Sequence, residues 1–448
     1  MGGGLLQLVA YGAQDAYLSG NPHITFWKIL YKRHTNFAIE AFRVNFTGAP
    51  AYGQRLVAVV NRNADLVWKT YVEVSLPNTG SVSWTAGAQR RLGYLLLKQI
   101  EVEIGGQVID RHYGEWLYLW ETLTADFDTA LKLDQMVGGA YSGQASTFQQ
   151  CNGRNNVLYI PLQFWFNRNP GLALPLIALQ YHEVRFNIIL EDSINLVQGA
   201  SASASALQTA ANSLPALRDM ALYLDYVYLD VDERRRFAQE SHEYLIDQLQ
   251  YTGQQQITTS SARLDLTLNH PVKELIWVFQ DERKRDCSLP DTGGNYTQQA
   301  YTQPFSYDDI VDRCRLQING QDRFDERYGD YFWKVQPYQH HTGGGFSRAI
   351  VDTTISAAAD PVISRTASNP INVYSFAIQP EEHQPSGTCN FSRIDNATLV
   401  FNSVTNPSAG DDIGTFPTKA FPYNFRIYAT NYNVFRIMSG MGGLAYSN

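Results

Sequence analysis

Glu101-Val102-Glu103-Ile104-Gly105-Gly106-Gln107 is the stretch on which the fold is decided. Acidic and apolar residues alternate up to Ile104, and the glycine pair then reverses the chain as a hairpin-type turn. The same turn returns 214 residues later as Ile318-Asn319-Gly320-Gln321. Just downstream, Tyr113-Gly114-Glu115-Trp116 matches Tyr328-Gly329-Asp330-Tyr331 at an offset of 215. Upstream, Phe46-Thr47-Gly48 matches Tyr251-Thr252-Gly253 at 205. Val60-Asn61 matches Leu268-Asn269 at 208, and the apolar runs that follow contain Trp68 and Trp277. The order is kept and the offset drifts slowly, as loops of unequal length would make it. The matches predict a duplicated domain of roughly 200 residues, a repeat that governs the fold more than any single strand does.

Strand patterns fill both halves. Leu66 to Leu76 alternates over most of its length and stops at Pro77, and Leu222 to Asp230 is rich in β-branched and aromatic residues. Arg263 to Leu268, Leu275 to Phe279 and Thr398 to Phe401 repeat the style in the second half. Helices are predicted to be few and short. Tyr113 to Met136 carries Trp116, Leu117, Trp120 and Leu123 at near-helical spacing, and Glu240 to Leu249 reads as a short helix between the halves. Four stretches poor in periodicity read as long surface loops: 125–156, 199–213, 281–306 and 343–369. Asp281 to Ser306, with Gly293-Gly294, is predicted to lie at an exposed outer face.

The 448 residues exceed one core, and two all-β barrels of roughly 200–250 residues would account for them. Charged residues make up 17% and aromatics 13%, a balance that suits pleated, half-buried strands. A formal charge of −8 argues against direct nucleic-acid binding, which needs Lys and Arg to neutralise phosphates. The basic runs Arg234-Arg235-Arg236 and Arg283-Lys284-Arg285 sit beside acids and read as locally paired surface. Cys151, Cys287, Cys314 and Cys389 form no C-x-x-C motif and read as reduced thiols. The start Met1-Gly2-Gly3-Gly4-Leu5-Leu6 lacks a basic n-region, and Leu6 stands where a myristoylation signal wants Ser or Thr. The longest apolar run, Leu172 to Leu179, is far short of a membrane span, so no membrane insertion is predicted.

No catalytic constellation, cofactor fingerprint or metal motif stands out. His182-Glu183 has no second histidine at the spacing of a helical zinc site. Gly440-Met441-Gly442-Gly443 lacks the βαβ setting of a dinucleotide loop. Asp308-Asp309 and Asp411-Asp412 read as loop carboxylates. His340-His341 and Glu381-Glu382-His383 are metal ligands only if the fold brings them together, and ordinary surface histidines are the expectation. Four Asn-x-Ser/Thr triplets, at Asn45, Asn295, Asn390 and Asn396, are possible glycosylation sites. Asn295, in a Gly-rich stretch, is the most exposed by sequence, and Asn396 precedes a strand.

Long blocks along the whole chain are similar to the major capsid proteins of nucleocytoplasmic large DNA viruses, closest to those of algal viruses such as the chloroviruses. LVAYGAQDAYLSGNPHITFWK (Leu8 to Lys28) and NFAIE (Asn36 to Glu40) resemble that family's opening. PGLALPLIALQYHEV (Pro170 to Val184) resembles a first-barrel segment, and FAQESHEYLIDQLQYTG (Phe237 to Gly253) the connection between barrels. INGQDRF (Ile318 to Phe324), KVQPYQ (Lys334 to Gln339), PSGTCNFSRIDNATL (Pro385 to Leu399) and NYNVFRIMSGMGGLAYSN (Asn431 to Asn448) complete the match. The resemblance implies an all-β fold of two consecutive eight-stranded jelly-roll barrels with few short helices. On that reading 1–24 is an N-terminal arm, 25–235 the first barrel and 236–448 the second. It also implies a structural protein, not an enzyme, whose copies form pseudo-hexagonal homotrimeric capsomers. These would tile an icosahedral shell over an internal membrane, contact neighbouring capsomers, minor capsid proteins and a penton protein, and assemble in the host cytoplasm into the virion. Family members carry glycans on loop asparagines, but the loops here depart from the family. The competing expectation is a carbohydrate-binding, lectin-like jelly roll, whose sugar stacking the aromatic content would suit.

Overall fold

Strand by strand, alternation decides which side chains are buried. In Leu66–Ser75, Val72 and Val74 are buried while Tyr71, Glu73 and Ser75 between them are half-buried. The computed structural model describes residues 2–77, 83–84, 91–138, 157–198, 208–209, 211–282, 305, 307–343, 370–403 and 423–446. The chain divides into two compact units, Met1–Phe37 and Ala38–Asn448.

The larger unit is a double jelly roll. The first barrel uses β1 (Phe37–Asn45), β2 (Arg55–Val59), β3 (Leu66–Ser75), β4 (Leu97–Ile104), β5 (Gln107–His112), β6 (Val157–Pro161), β7 (Val184–Leu190) and β8 (Asp219–Leu229). The second uses β9 (His242–Ile257), β10 (Ser261–Asp265), β11 (Pro271–Asp281), β12 (Val311–Ile318), β13 (Gln321–Asp322), β14 (Asn372–Ser375), β15 (Ala397–Ser403) and β16 (Tyr423–Met438). A short β17 (Met441–Leu444) folds back on β16. The sheets of the first barrel run β1-β8-β3-β6 and β2-β7-β4-β5, and those of the second run β9-β16-β11-β14 and β10-β15-β12-β13. Adding eight to each first-barrel label gives the second barrel, so the two halves share one topology.

The sequence matches fall on equivalent places. Ile104 pairs with Gln107 across Gly105 (φ 60°) and Gly106 (φ 86°), and Ile318 pairs with Gln321 across Asn319 (φ 50°) and Gly320 (φ 78°). Two successive positive φ values make both turns type I′. A Cβ on Gly114 would run into the carbonyl oxygens of Tyr94 and Leu97, and one on Gly329 into that of Val311. In each barrel, therefore, the chain leaving the hairpin passes close over backbone where only glycine fits.

Two helices, not one, occupy the first-barrel helical stretch. They are α2 (Gly114–Thr124) and α3 (Phe127–Val137), where α1 is Gly3–Val9 in the smaller unit. The break lies at Asp126, whose carboxylate accepts a 3.1 Å hydrogen bond from the Thr129 amide and caps α3. Glu240 to Leu249 is not a helix, contrary to the sequence expectation. The helix is α4 (Val231–Gln239), capped by Asp230, and Glu240 ends it. His242 onward pairs antiparallel with β16, from His242↔Ile437 to Tyr251↔Tyr428. The last helix used below is α5 (Gln336–His340), entered through a π-turn at Tyr331–Val335.

Among the described residues two hydrophobic clusters hold the larger unit. One fills the second barrel with Leu275, Trp277, Phe279, Leu316, Phe401, Phe425 and Ile427. The other fills the first barrel and continues onto Ile246, Ile276, Val278, Val373, Tyr428 and Phe435 of the second. The sheet β9-β16-β11-β14 is thus covered on both faces, and β16 is buried almost throughout, unlike an ordinary half-exposed antiparallel strand.

The smaller unit contains α1 and short helical turns at Ala13–Asp15 and Ala16–Ser19. None of its described residues is buried, and Leu8, Tyr17, Phe26 and Trp27 are exposed. Among the described residues no helix is long and apolar enough to cross a membrane.

Candidate functional site at the seam between the barrels

The seam is built by the segment after the first hairpin. From β5 the chain turns through Tyr113 into α2, whose Trp116, Leu117, Leu119, Trp120 and Leu123 are all buried. Trp116 lies 5.8 Å from Tyr428, Tyr113 meets Tyr251 edge-on, and Tyr118 stacks on Phe305 at 4.6 Å. Within this apolar contact Glu115 is only 7% exposed. Arg426 of β16 grips it as a fork, Nε donating to Oε2 and Nη2 to Oε1, each at 2.7 Å. The Tyr428 hydroxyl donates to Oε2 at 2.6 Å and the Tyr307 hydroxyl to Oε1 at 3.2 Å. A further Nη2 bond reaches Gln280 at 2.7 Å.

Charge assistance explains why this cluster tolerates burial. Burial by itself would lower the Arg426 pKa, but the Glu115 carboxylate outweighs it and the guanidinium is held more firmly protonated than usual. Burial and then Glu115 push the Tyr428 and Tyr307 hydroxyls well above their ordinary range, so both remain donors. A bidentate, fully buried pair joins the two barrels at one orientation. Removing one partner would strand the other charge without water.

A second buried cluster lies on the same sheet. The fold does bring His341 and Glu381 together, with Nδ1 3.0 Å from Glu381 Oε1. The other ring nitrogen, Nε2, lies 3.1 Å from Glu274 Oε2 on β11, an ion pair and not an aligned hydrogen bond. Burial alone would lower the His341 pKa, but Glu274 and Glu381 override it and push it up to about 9. Burial would raise that of Glu274, and His341 more than reverses this to leave it below the usual carboxylate value. At neutral pH an imidazolium therefore bridges two carboxylates. Neighbouring Lys273 is equally buried and donates to Asp247 at 3.0 Å and to the Pro380 carbonyl at 3.1 Å.

His341 is thus a buried residue, against the expectation of an ordinary surface histidine. His340 stays outside the cluster and touches the Ile378 carbonyl, while Glu382 is exposed. Among the described residues no group of three or more His, Cys, Asp or Glu side chains is arranged to hold a metal ion. The sequence signal for both clusters is charge inside strand patterns: Lys273-Glu274 in β11 and Arg426 in β16, at positions a one-faced strand would leave in water.

The remaining candidates are scattered. Asn45 is exposed at the end of β1. Asn390 is exposed and accepts from the Ser392 amide at 3.1 Å. Asn396 is exposed beside the Asn319 turn, its amide donating to the Asn319 carboxamide oxygen at 3.1 Å. Asn295, Cys151, Cys287, Arg283-Lys284-Arg285, Asp411-Asp412 and nearly all of 281–306 lie outside the described residues. Arg234 pairs with the buried Asp65 at 2.7 Å. Gly440 to Gly443 is the β16–β17 hairpin, with Met438 paired to Met441. Cys314 is buried and Cys389 half-buried, both as free thiols.

Comparison with known proteins agrees with this geometry along the whole chain. Residues 25–230 match the family model of the major capsid protein N-terminus. Residues 233–345 and 357–443 match that of the large eukaryotic DNA virus major capsid protein. The chain is 45% identical to the major capsid protein of Pyramimonas orientalis virus and 40% identical to that of Paramecium bursaria Chlorella virus 1, with 100% of each chain covered in both cases. Among solved structures it is similar to a chain of the PBCV-1 virus capsid quasi-atomic model, with 36% identity, a TM-score of 0.74, and coverage of 95% of this chain and 100% of that one. These likenesses do not favour a lectin.

Proposed function

The chain belongs to the family of large eukaryotic DNA virus major capsid proteins, and from that premise we propose that its copies associate as homotrimeric, pseudo-hexagonal capsomers. As a major capsid protein it is a structural component of the virion shell. The observation that carries the trimer is the identical strand order of the two barrels, since three copies of two like barrels present six like sectors. Such capsomers would tile an icosahedral shell around an internal membrane, with neighbouring capsomers, minor capsid proteins and a penton protein as partners and the host cytoplasm as the place of assembly. The partition into an arm (1–24), a first barrel (25–235) and a second barrel (236–448) belongs to the same reading. The arm is assigned to contacts with adjacent capsomers or minor capsid proteins, because its exposed Leu8, Tyr17 and Leu18 gain by burial against a neighbour. Exposed Asn45, Asn390 and Asn396 are accessible glycosylation positions in this reading, to which Asn295 is added from sequence alone.

Light scattering coupled to size exclusion tests the trimer. The expected species has three times the 50.5 kDa chain mass, and a persistent 50.5 kDa species at micromolar concentration overturns it. Deleting Gly2 to Ser19 is expected to leave trimer mass and Tm nearly unchanged while lowering the yield of shells.

A further inference from the structure

We propose that the outer face of the first barrel's sheet, carrying Tyr71, Tyr159 and Tyr223, seats against the Tyr328 to Tyr338 edge of the second barrel of another copy of this chain. The inference rests on the trimeric reading and specifies which surfaces make it. The duplication supplies the argument. In the second barrel the outer face of β9-β16-β11-β14 is covered by β5 and α2 of the first. The equivalent first-barrel sheet, β1-β8-β3-β6, has the same strand order and no such cover among the described residues.

That open face carries a tyrosine cluster among the charged side chains of Lys69, Glu73 and Asp225. Tyr71 stacks on its cross-strand partner Tyr223 with centroids 5.1 Å apart and planes 3° from parallel, and Tyr159 meets Tyr71 edge-on at 6.1 Å. Ile39 of β1 extends the stripe, 46% exposed. Tyrosines of this kind are the side chains that interfaces favour, since each buries a large ring and keeps a polar tip.

The matching edge is equally identifiable. The segment that covers the in-chain sheet face follows the Ile104–Gln107 turn and begins at Tyr113-Gly114-Glu115. Its counterpart follows the Ile318–Gln321 turn, begins at Tyr328-Gly329-Asp330, and continues through the π-turn into α5. Phe332 and Trp333 of this counterpart are buried, while Tyr328 and Tyr338 on its outer side are exposed, Tyr338 to 84%.

Charge separates the two contacts. In the seam the sheet supplies the cation, Arg426, opposite Val278 and one place past Trp277, and the helix supplies the acid, Glu115. On β8 the corresponding place past Trp68 falls at the bulge between Leu224 and Tyr226, where the residue is Asp225. The second-barrel edge carries cations: Arg313 over Tyr328 at 4.0 Å, Arg327 over Tyr331 at 4.4 Å, and Lys334. Asp330, in the place of Glu115, is already paired with Lys334 at 2.7 Å. Asp225, with Lys69 beside it, is complemented by the Arg313 and Arg327 guanidinium groups of the edge, which favours face on edge over face on face. A head-to-tail contact of this kind must close or propagate, and three chains of two barrels close it.

The full-length protein is tested by light scattering over a concentration series. Tyr223→Arg on the face and Tyr338→Glu on the edge are each expected to raise the trimer dissociation constant at least ~10-fold with unchanged circular dichroism and, for the dissociated chain, an unchanged urea midpoint. Tyr338→Glu decides the matter if Tyr223→Arg fails to fold, because its side chain lies in solvent. The double variant Tyr223→Cys/Tyr338→Cys should give a covalent trimer on oxidation, while neither single variant does. Retention of the native trimer by both charge variants, with no cross-link, overturns the face assignment and leaves the trimer standing. A monomeric native protein overturns both.

Discussion

β8 and β16 are the same strand in two barrels, and they could hardly look less alike. Each lies in the sheet between the first and third strands of its barrel. β8 alternates, with Leu222, Leu224 and Tyr226 buried and Tyr223, Asp225 and Val227 half-buried. β16 is buried almost residue by residue, with Arg426, Thr430, Asn431 and Asn433 inside alongside Phe425 and Ile427. Shared topology did not decide this; what covers the outer face did. Once α2 lies on that face, polar side chains there must find partners within the protein, and Glu115, Gln248 and Gln280 provide them.

The largest expected effect lies at Arg426. Arg426→Ala should cost about 3–5 kcal/mol, because Glu115 stays buried without its partner. Urea denaturation followed by tryptophan fluorescence reads this loss. The paired change Glu115→Leu/Arg426→Met should recover most of it, and a double variant no better than the single would show that the pair contributes beyond its charge.

The His341 bridge sharpens the same contrast through pH. Its folded-state pKa of about 9 exceeds the ordinary 6.5 of a free imidazole. Its contribution is therefore complete below about pH 6.5, declines as pH rises, and is gone above about 9, amounting to a few kcal/mol by linkage. Urea midpoints measured from pH 6 to 10 should fall along this limb, and His341→Gln should flatten it. A slope unchanged in the variant would assign the alkaline loss to other groups.

The two hairpin turns offer a smaller test. Gly105 is crowded by the His182 ring, whereas the Asn319 carboxamide accepts from the amides of Asp395 and Asn396 at 3.0 and 3.1 Å. Gly105→Asn should destabilise by roughly 1–3 kcal/mol through overpacking, and Asn319→Gly by about 1 kcal/mol through the lost bonds. Equal tolerance of both swaps would mean the turns are interchangeable. Smallest is Tyr223→Ala, expected to cost the isolated chain roughly 0.2–1 kcal/mol of unfolding free energy in urea through the lost stack on Tyr71.

Much of this is legible in the sequence alone. Alternation placed β3 and β4, β-branched and aromatic runs placed β8, β11 and β15, and the Gly-Gly and Asn-Gly turns placed both hairpins, because these are local signals. Glu240 to Leu249 misled because Tyr244, Leu245 and Leu249 mimic helical spacing in a strand whose two faces both meet protein. Long-range pairing with β16 then overrode the local pattern. The seam was illegible for a related reason: Glu115 and Arg426 are 311 positions apart, and neither residue's neighbours announce the other.

The double burial of β16 also sets a timetable. Its sheet neighbours β9 and β11 leave the ribosome long before it does, and until it inserts between them that sheet has a gap at its centre. Over the same interval the Trp116 and Trp120 side of α2 waits for Tyr428 and Arg426, which only β16 can deliver. Contacts of such sequence separation form late and slowly, and the waiting surface is apolar. Synthesis therefore passes through a stage in which a nearly complete first barrel holds a sticky flank open, and crowding by other nascent copies is most hazardous then.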